Sequence, residues 1–236
     1  MMEPGENQPS KACISHVAPF VAWIALMFLL GEPAGWKYAV RSGVCLVLFI
    51  ALRPWKWDYP PLKWKNLPSA TLAGLVVLAI WILPESDWLS GFESFQRFYQ
   101  TVGLLMPWEL TIPSESTPYA PEQVGWGFAI TRLLGSAIVI AVIEEFFWRS
   151  WMTRWLNKEN FLEVDPGAVS TKSILIASLL FATAHTRWIA ALLCGLIWGF
   201  YYRKTRDIWA VCYAHILTNF LLGVYVLTTG NYEFWA

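Results

Sequence analysis

Long apolar runs, broken at short intervals by charged and aromatic clusters, set the pattern of this chain. A bilayer core of ~30 Å takes about 20 apolar residues per helix, and the runs come at about that length. Lys11 and Glu32 bound a charge-free stretch that predicts a first span over about 13–31. A second, about 35–52, opens with Lys37 and Arg41, which are expected to snorkel outward to the interface. The third, about Leu67 to Leu83, carries no charge at all. From near Gly125 a helical pattern continues through Trp155 and predicts a long fourth span. Runs over about 172–186, 188–203 and 208–229 predict three more. The expected fold is all-α, a polytopic transmembrane helical bundle of about seven spans. The first run follows an acidic start and lacks a small-residue cleavage site, so it reads as a span rather than a signal peptide.

The charges between the runs orient the bundle, because Lys and Arg gather on the cytoplasmic side. The loop after the second span carries Arg53, Lys56, Lys63 and Lys65 against Asp58, and the loop after the sixth carries Arg203, Lys204 and Arg206 against Asp207. The segment after the third is the reverse, with Glu85, Asp87, Glu93, Glu109, Glu115 and Glu122 facing Arg97. The N-terminus is therefore expected inside and the C-terminus outside. Within that acidic outer segment, about 85–123, Trp88, Phe92, Phe95, Tyr99, Val102 and Met106 recur at three- and four-residue steps. This predicts an amphipathic helix lying in the outer interface, either packed over the bundle or covering a substrate. Residues 1–123 form the N-terminal spans and acidic outer segment, and 124–236 a core, within one integrated membrane domain.

Composition narrows the class. Of 236 residues, 56% are hydrophobic and 14% charged, against roughly 25% charged in an average soluble domain. Seventeen basic residues balance seventeen acidic ones, which leaves no electrostatic footprint for nucleic acid. A soluble domain, a disordered chain and a nucleic-acid binder are disfavoured, and membrane lipid is the expected surround. Sixteen tryptophans suit the apolar–water boundary. Cys13, Cys45, Cys194 and Cys212 are scattered without a CxxC and read as small packing residues.

In so apolar a chain, each ionisable group inside a span is a functional candidate. Glu144 and Glu145 follow eleven uncharged residues of the fourth span. Glu145 and Arg149 are four apart, on one helical face, and can pair. Glu144 is rotated by ~100° from its neighbour and left without that partner, which suits a general base. A helix end at the cytoplasmic interface, with both acids solvated, is the plain alternative; Arg149, Arg154 and Lys158 lie just beyond. Against it, the apolar run continues to Trp155, and about 31 residues span ~46 Å. Two of the three histidines fall in spans: His185 after Phe181, and His215 four residues before Asn219. A lone intramembrane His commonly serves as a helix–helix hydrogen-bond partner. Two of them with a Glu and an Asn on three spans point to an assembled polar site. His16 is expected to be interfacial.

Glu144-Glu145-x-x-x-Arg149, Phe181-x-x-x-His185 and His215-x-x-x-Asn219, in that order on successive spans, resemble the CPBP intramembrane protease family. That family comprises the type II CAAX prenyl endopeptidases and bacterial proteins known as Abi or bacteriocin-processing proteases. The resemblance covers about 125–229, and the subgroup most similar is the CAAX-protease-related proteins of bacterial exosortase systems. It implies an endopeptidase in a bacterial inner membrane, acting on a membrane-associated peptide or protein. Glu144 would activate a water, His185 would assist as proton carrier or second activator, and His215 and Asn219 would stabilise the oxyanion. Glu145 with Arg149 would hold the helix and the substrate's C-terminal end, and Phe181 would pack. Two imidazoles and a carboxylate, Glu144, His185 and His215, could instead hold zinc with an open position; a metal-independent glutamate mechanism is favoured. GxGD, HExxH and GxSG motifs are absent, which sets aside the aspartyl, site-2 and rhomboid types. A non-catalytic membrane binding or immunity-type protein, or a transporter or proton relay, remains as an alternative reading. One condition must hold. His185 lies ~20 Å along its span from Lys172 and His215 ~12 Å from Asp207, so they meet only if span five is short or begins inside the bilayer.

Overall fold

In hydrocarbon a backbone N–H or C=O has no water to bond, so an apolar run must satisfy itself as a helix. The computed structural model describes residues 8–31, 33–57, 59–104 and 118–235, and the runs there are helical. They are α1 (Gln8–Leu30), α2 (Gly35–Leu52), α3 (Leu67–Ile82), α4 (Trp126–Trp155), α5 (Thr171–Ala182), α6 (Trp188–Thr205) and α7 (Ile208–Thr229). No strand occurs among the described residues. Glu32, Asp58, Met106, Glu109 and Glu115, which entered the charge and periodicity arguments, lie outside them.

Among the described residues five helices, α1 to α4 and α7, are long and apolar enough to cross a membrane. The other two expected spans form a hairpin whose first helix is short. Helix α5 has 12 residues, ~18 Å of rise, and stops at Ala182, where the tip Thr183–Arg187 turns the chain back into α6. This meets the condition on depth: His185 sits on the hairpin tip rather than inside a full span. The hairpin closes tightly because small residues face each other, as is usual where membrane helices approach. A Cβ on Gly195 of α6 would lie 2.9 Å from the Ser178 side chain of α5.

Helix α4 is the centre of the bundle, packing on α1 and α2 on one side and α7 on the other. Helix α7 in turn packs on α3, where Gly74 is needed: a Cβ there would come within 2.8 Å of the Ala214 carbonyl oxygen. Thr218 Oγ1 donates to the Gly74 carbonyl at 2.8 Å across the same contact. Asp207 caps α7 by accepting from the Ala210 amide at 3.1 Å. Its second oxygen accepts from the Lys63 amide and the Asn66 side chain, both at 2.9 Å, tying the inner loops together.

His16 is 1% exposed, so the interfacial placement is corrected. Its Nδ1 bonds the Ala12 carbonyl at 2.7 Å and its Nε2 the Tyr59 hydroxyl at 2.6 Å. Tyr59 also bonds Ser150 of α4. A ready protein partner on each ring nitrogen outcompetes the headgroup region. Burial pushes the Tyr59 phenol up to about 12, so it is neutral at physiological pH.

The outer segment is helical only in pieces: turns at Leu83–Glu85 and Asp87–Leu89, then Glu93–Phe98 running into a wide turn, Tyr99–Gly103. Pro84, Ser86 and the Ser90-Gly91 pair interrupt the single amphipathic helix that the periodicity predicts. The first part of the apolar stripe points away from the bundle, with Trp88 88% and Phe92 65% exposed, as interfacial insertion requires, whereas Tyr99 turns inward and is buried.

Candidate active site

The two glutamates stand in a locally widened part of α4. Gly135–Ile140 and Phe146–Met152 are π-helical, flanking the α-helical stretch Ala141–Glu145. Such i→i+5 turns inside α-helices frequently occur at functional sites, because each shifts the direction of the side chains beyond it.

The pair divides as the helical phase predicts. Glu145 is fully buried, and its Oε1 lies 3.3 Å from Nη1 of Arg149. The same oxygen accepts from Nδ1 of His215 on α7 at 2.8 Å. Glu144 faces the other way, with Oε2 3.8 Å from Nε2 of His215. That separation is too long for a hydrogen bond, yet both atoms can reach one water beside them. His215 therefore stands between two carboxylates, bound to one and adjacent to the other. The indole of Trp198 stacks over its ring at 4.2 Å. Charges here are costly unless matched. Two carboxylates and the Arg149 guanidinium leave one negative charge, which one proton on the Glu144–His215 pair cancels.

His185 is oriented from its own backbone, its Nδ1 donating to the Phe181 carbonyl at 2.9 Å. That leaves Nε2 as the ring's free acceptor. Phe181 packs against the His185 ring at 4.5 Å and beneath the Arg149 guanidinium at 4.5 Å. Asn219, one turn beyond His215, donates to the Ser136 carbonyl at 3.1 Å, which uses one of its two amide hydrogens.

Glu144, Phe181, His185, His215 and Asn219 line one cavity of about 810 Å³. The expected residues thus converge, apart from Glu145 and Arg149, which sit behind the wall rather than in it. The expected contact of that ion pair with substrate accordingly has no surface to act on. As for zinc, among the described residues no three His, Cys, Asp or Glu side chains are grouped to hold a metal ion.

Several cavity residues were passed over in the sequence. Arg41 does not snorkel outward; its guanidinium lies over the Trp23 ring at 3.7 Å and lines the cavity with Arg132 of α4. Arg187, on the hairpin tip, donates to both oxygens of Glu85 at 2.6 and 2.9 Å and to the Glu233 carbonyl at 2.9 Å. The signal was present for all three, since an arginine in or beside an apolar run is as informative as a glutamate.

No curated protein and no solved structure matches the chain. The family model described as type II CAAX prenyl endopeptidase Rce1-like matches residues 126–221, the stretch that holds every candidate residue of the site. Residues 126–221 are thus similar to that protease family, within a chain whose five long apolar helices suit a multi-pass membrane protein.

Proposed function

We propose that the protein is an intramembrane endopeptidase in which Glu144 activates water against a peptide carbonyl. The observation that carries this reading is the Glu145–His215–Glu144 arrangement, at 2.8 and 3.8 Å, with Glu144 and His215 on the cavity wall and Glu145 behind it. Glu144 takes a proton from a water held between it and His215, and the hydroxide adds to the carbonyl carbon. His215, protonated and backed by the Glu145 carboxylate, donates from Nε2 to the oxygen that gains charge. The second amide hydrogen of Asn219 completes the oxyanion site. His185 relays a proton to the departing amine through its free Nε2, and the carbon–nitrogen bond breaks. Glu145 and Arg149 act as positioning residues: they fix the tautomer and angle of His215, and Phe181 fixes His185 and Arg149.

The substrate is a peptide or protein segment at the membrane, in a bacterial inner membrane and an exosortase-associated setting on the strength of the motif resemblance. The catalytic core, 124–236, does not close the cavity alone, since Phe20, Trp23 and Arg41 of the N-terminal spans also line it. The full chain is thus the working unit. The test is cleavage of apolar peptides by the reconstituted full chain, followed by mass spectrometry. Wild-type protein is expected to cleave and Glu144→Gln and His215→Ala are not. Unchanged cleavage in both variants would overturn the reading.

A further inference from the structure

The outer end of the cavity is built differently from the catalytic wall. Arg41 of α2 and Arg132 of α4 both line it. Tyr38 lies under both guanidiniums, at 5.2 Å from Arg41 and 4.5 Å from Arg132, and Trp23 covers Arg41 at 3.7 Å. The Nε atoms of both arginines are buried without a hydrogen-bond partner. Arg132 spends its other nitrogens on neutral acceptors, the Tyr38 hydroxyl at 3.1 Å and the Trp235 carbonyl at 3.4 Å. Among the described residues neither arginine forms an ion pair.

Two like charges sharing one aromatic ring repel each other, and burying guanidinium donors unpaired is costly. Aromatic faces offset part of that cost but supply no acceptor. An anion does both, and guanidinium forks match a carboxylate in particular. The cavity also sets the spacing. Arg132 is twelve residues from Glu144 on α4, ~18 Å along the helix. Extended peptide covers ~3.3 Å per residue, so that gap is about five residues.

We propose that Arg41 and Arg132 form a specificity subsite for a carboxylate of the peptide substrate, about five residues from the bond that is cleaved. The proposal rests on the peptidase reading of the same cavity. The carboxylate belongs either to an acidic side chain or to a free C-terminus. Because the arginines share the cavity with Glu144, the anion they take is carried by the molecule that reaches Glu144, in preference to a lipid headgroup.

The test uses the full chain in detergent and a series of apolar, internally quenched nonapeptides. One set is C-terminally amidated with a single Glu moved through the positions, each beside its Gln counterpart. A second set has no Glu and either a free or an amidated C-terminus, so the two sources are read separately. Cleavage is measured with wild-type protein, and Kd with the Glu144→Gln variant by tryptophan quenching. A carboxylate about five residues from the cleaved bond is expected to improve kcat/KM and Kd about tenfold over its neutral counterpart. Arg41→Gln and Arg132→Gln are expected to abolish that ratio, and Arg41→Lys and Arg132→Lys to retain part of it; gel filtration verifies folding. If peptides bind with the carboxylate preference but none is cleaved, the subsite stands and the peptidase reading falls. If cleavage is indifferent to the carboxylate in wild-type and variant proteins alike, the subsite falls and the peptidase reading stands. Peptide binding without carboxylate preference, or phosphatidylglycerol micelles occupying the arginines to the exclusion of the peptide carboxylate, would also overturn it.

Discussion

Nδ1 of His215 donates to Oε1 of Glu145 at 2.8 Å, while Nε2 of the same ring lies 3.8 Å from Oε2 of Glu144. One imidazole thus separates two sequence-adjacent carboxylates into a buried anchor and a cavity-facing acid. Substitutions of the two should have different signatures.

Glu144→Gln keeps the shape and removes the base. Losing a positioned general base costs ~10²–10⁴ in rate, and Glu144 has no direct hydrogen bond to break. The expected outcome is inactive protein whose thermal midpoint in detergent stays within about 2 °C of wild type, since surface-like changes stay near ±0.5 kcal/mol. A large fall in midpoint would assign Glu144 to the structural core instead.

Glu145→Gln should lower both activity and stability. Arg149 would lose its one ion-pair partner among the described residues, and breaking a buried pair costs ~3–5 kcal/mol. His215 would also lose the acceptor that fixes its tautomer, an effect worth up to ~10⁴ in rate in comparable dyads. Denaturation and turnover measured on one preparation check both halves. Stability equal to that of wild type would contradict the buried-pair account.

Arg187 clasps the hairpin tip to Glu85 beyond the end of α3 and to the C-terminal turn through the Glu233 carbonyl. Arg187→Ala alone should cost ~3 kcal/mol by leaving a carboxylate unpaired. Arg187→Ala combined with Glu85→Gln should cost less than the sum of the two. A double-mutant cycle reads the coupling, and an additive result would deny the clasp an energetic role.

Gly74→Ala would press a methyl group against the Ala214 backbone at 2.8 Å. Backbone cannot rotate aside, so α3 and α7 must separate, at a cost of ~1–3 kcal/mol. Because His215 follows Ala214 directly, activity should fall as well. Retained activity at full stability would show that the helices can move apart freely.

Chelation gives a further expectation. With no three ligating side chains grouped among the described residues, exhaustive EDTA treatment should leave peptide cleavage within about twofold, since a catalytic zinc site requires three protein ligands. Loss of cleavage that added zinc restores would establish a metal enzyme.

The amino-acid sequence by itself determined the membrane class, the positions of the long helices and the split between Glu144 and Glu145. Each of these depends on local quantities: the length of an apolar run, the sum of nearby charges, or the ~100° step of a helix. Tertiary structure alone decided what each polar group meets. Tyr59 and the Ala12 carbonyl draw His16 into the bundle, a choice invisible when only its distance from the span's end is counted. Arg41 turns inward because Trp23 and Tyr38, brought up by helix packing, offer aromatic faces that the bilayer core does not. His185 reaches the site only because α5 stops at Ala182, a length set by its hairpin with α6 rather than by hydrophobicity. Glu145 serves His215, seventy residues away along the chain. The physical reason is the same in each case: inside a membrane an ionisable group must find a partner in the protein, and which partner is within reach is a property of the packed helices.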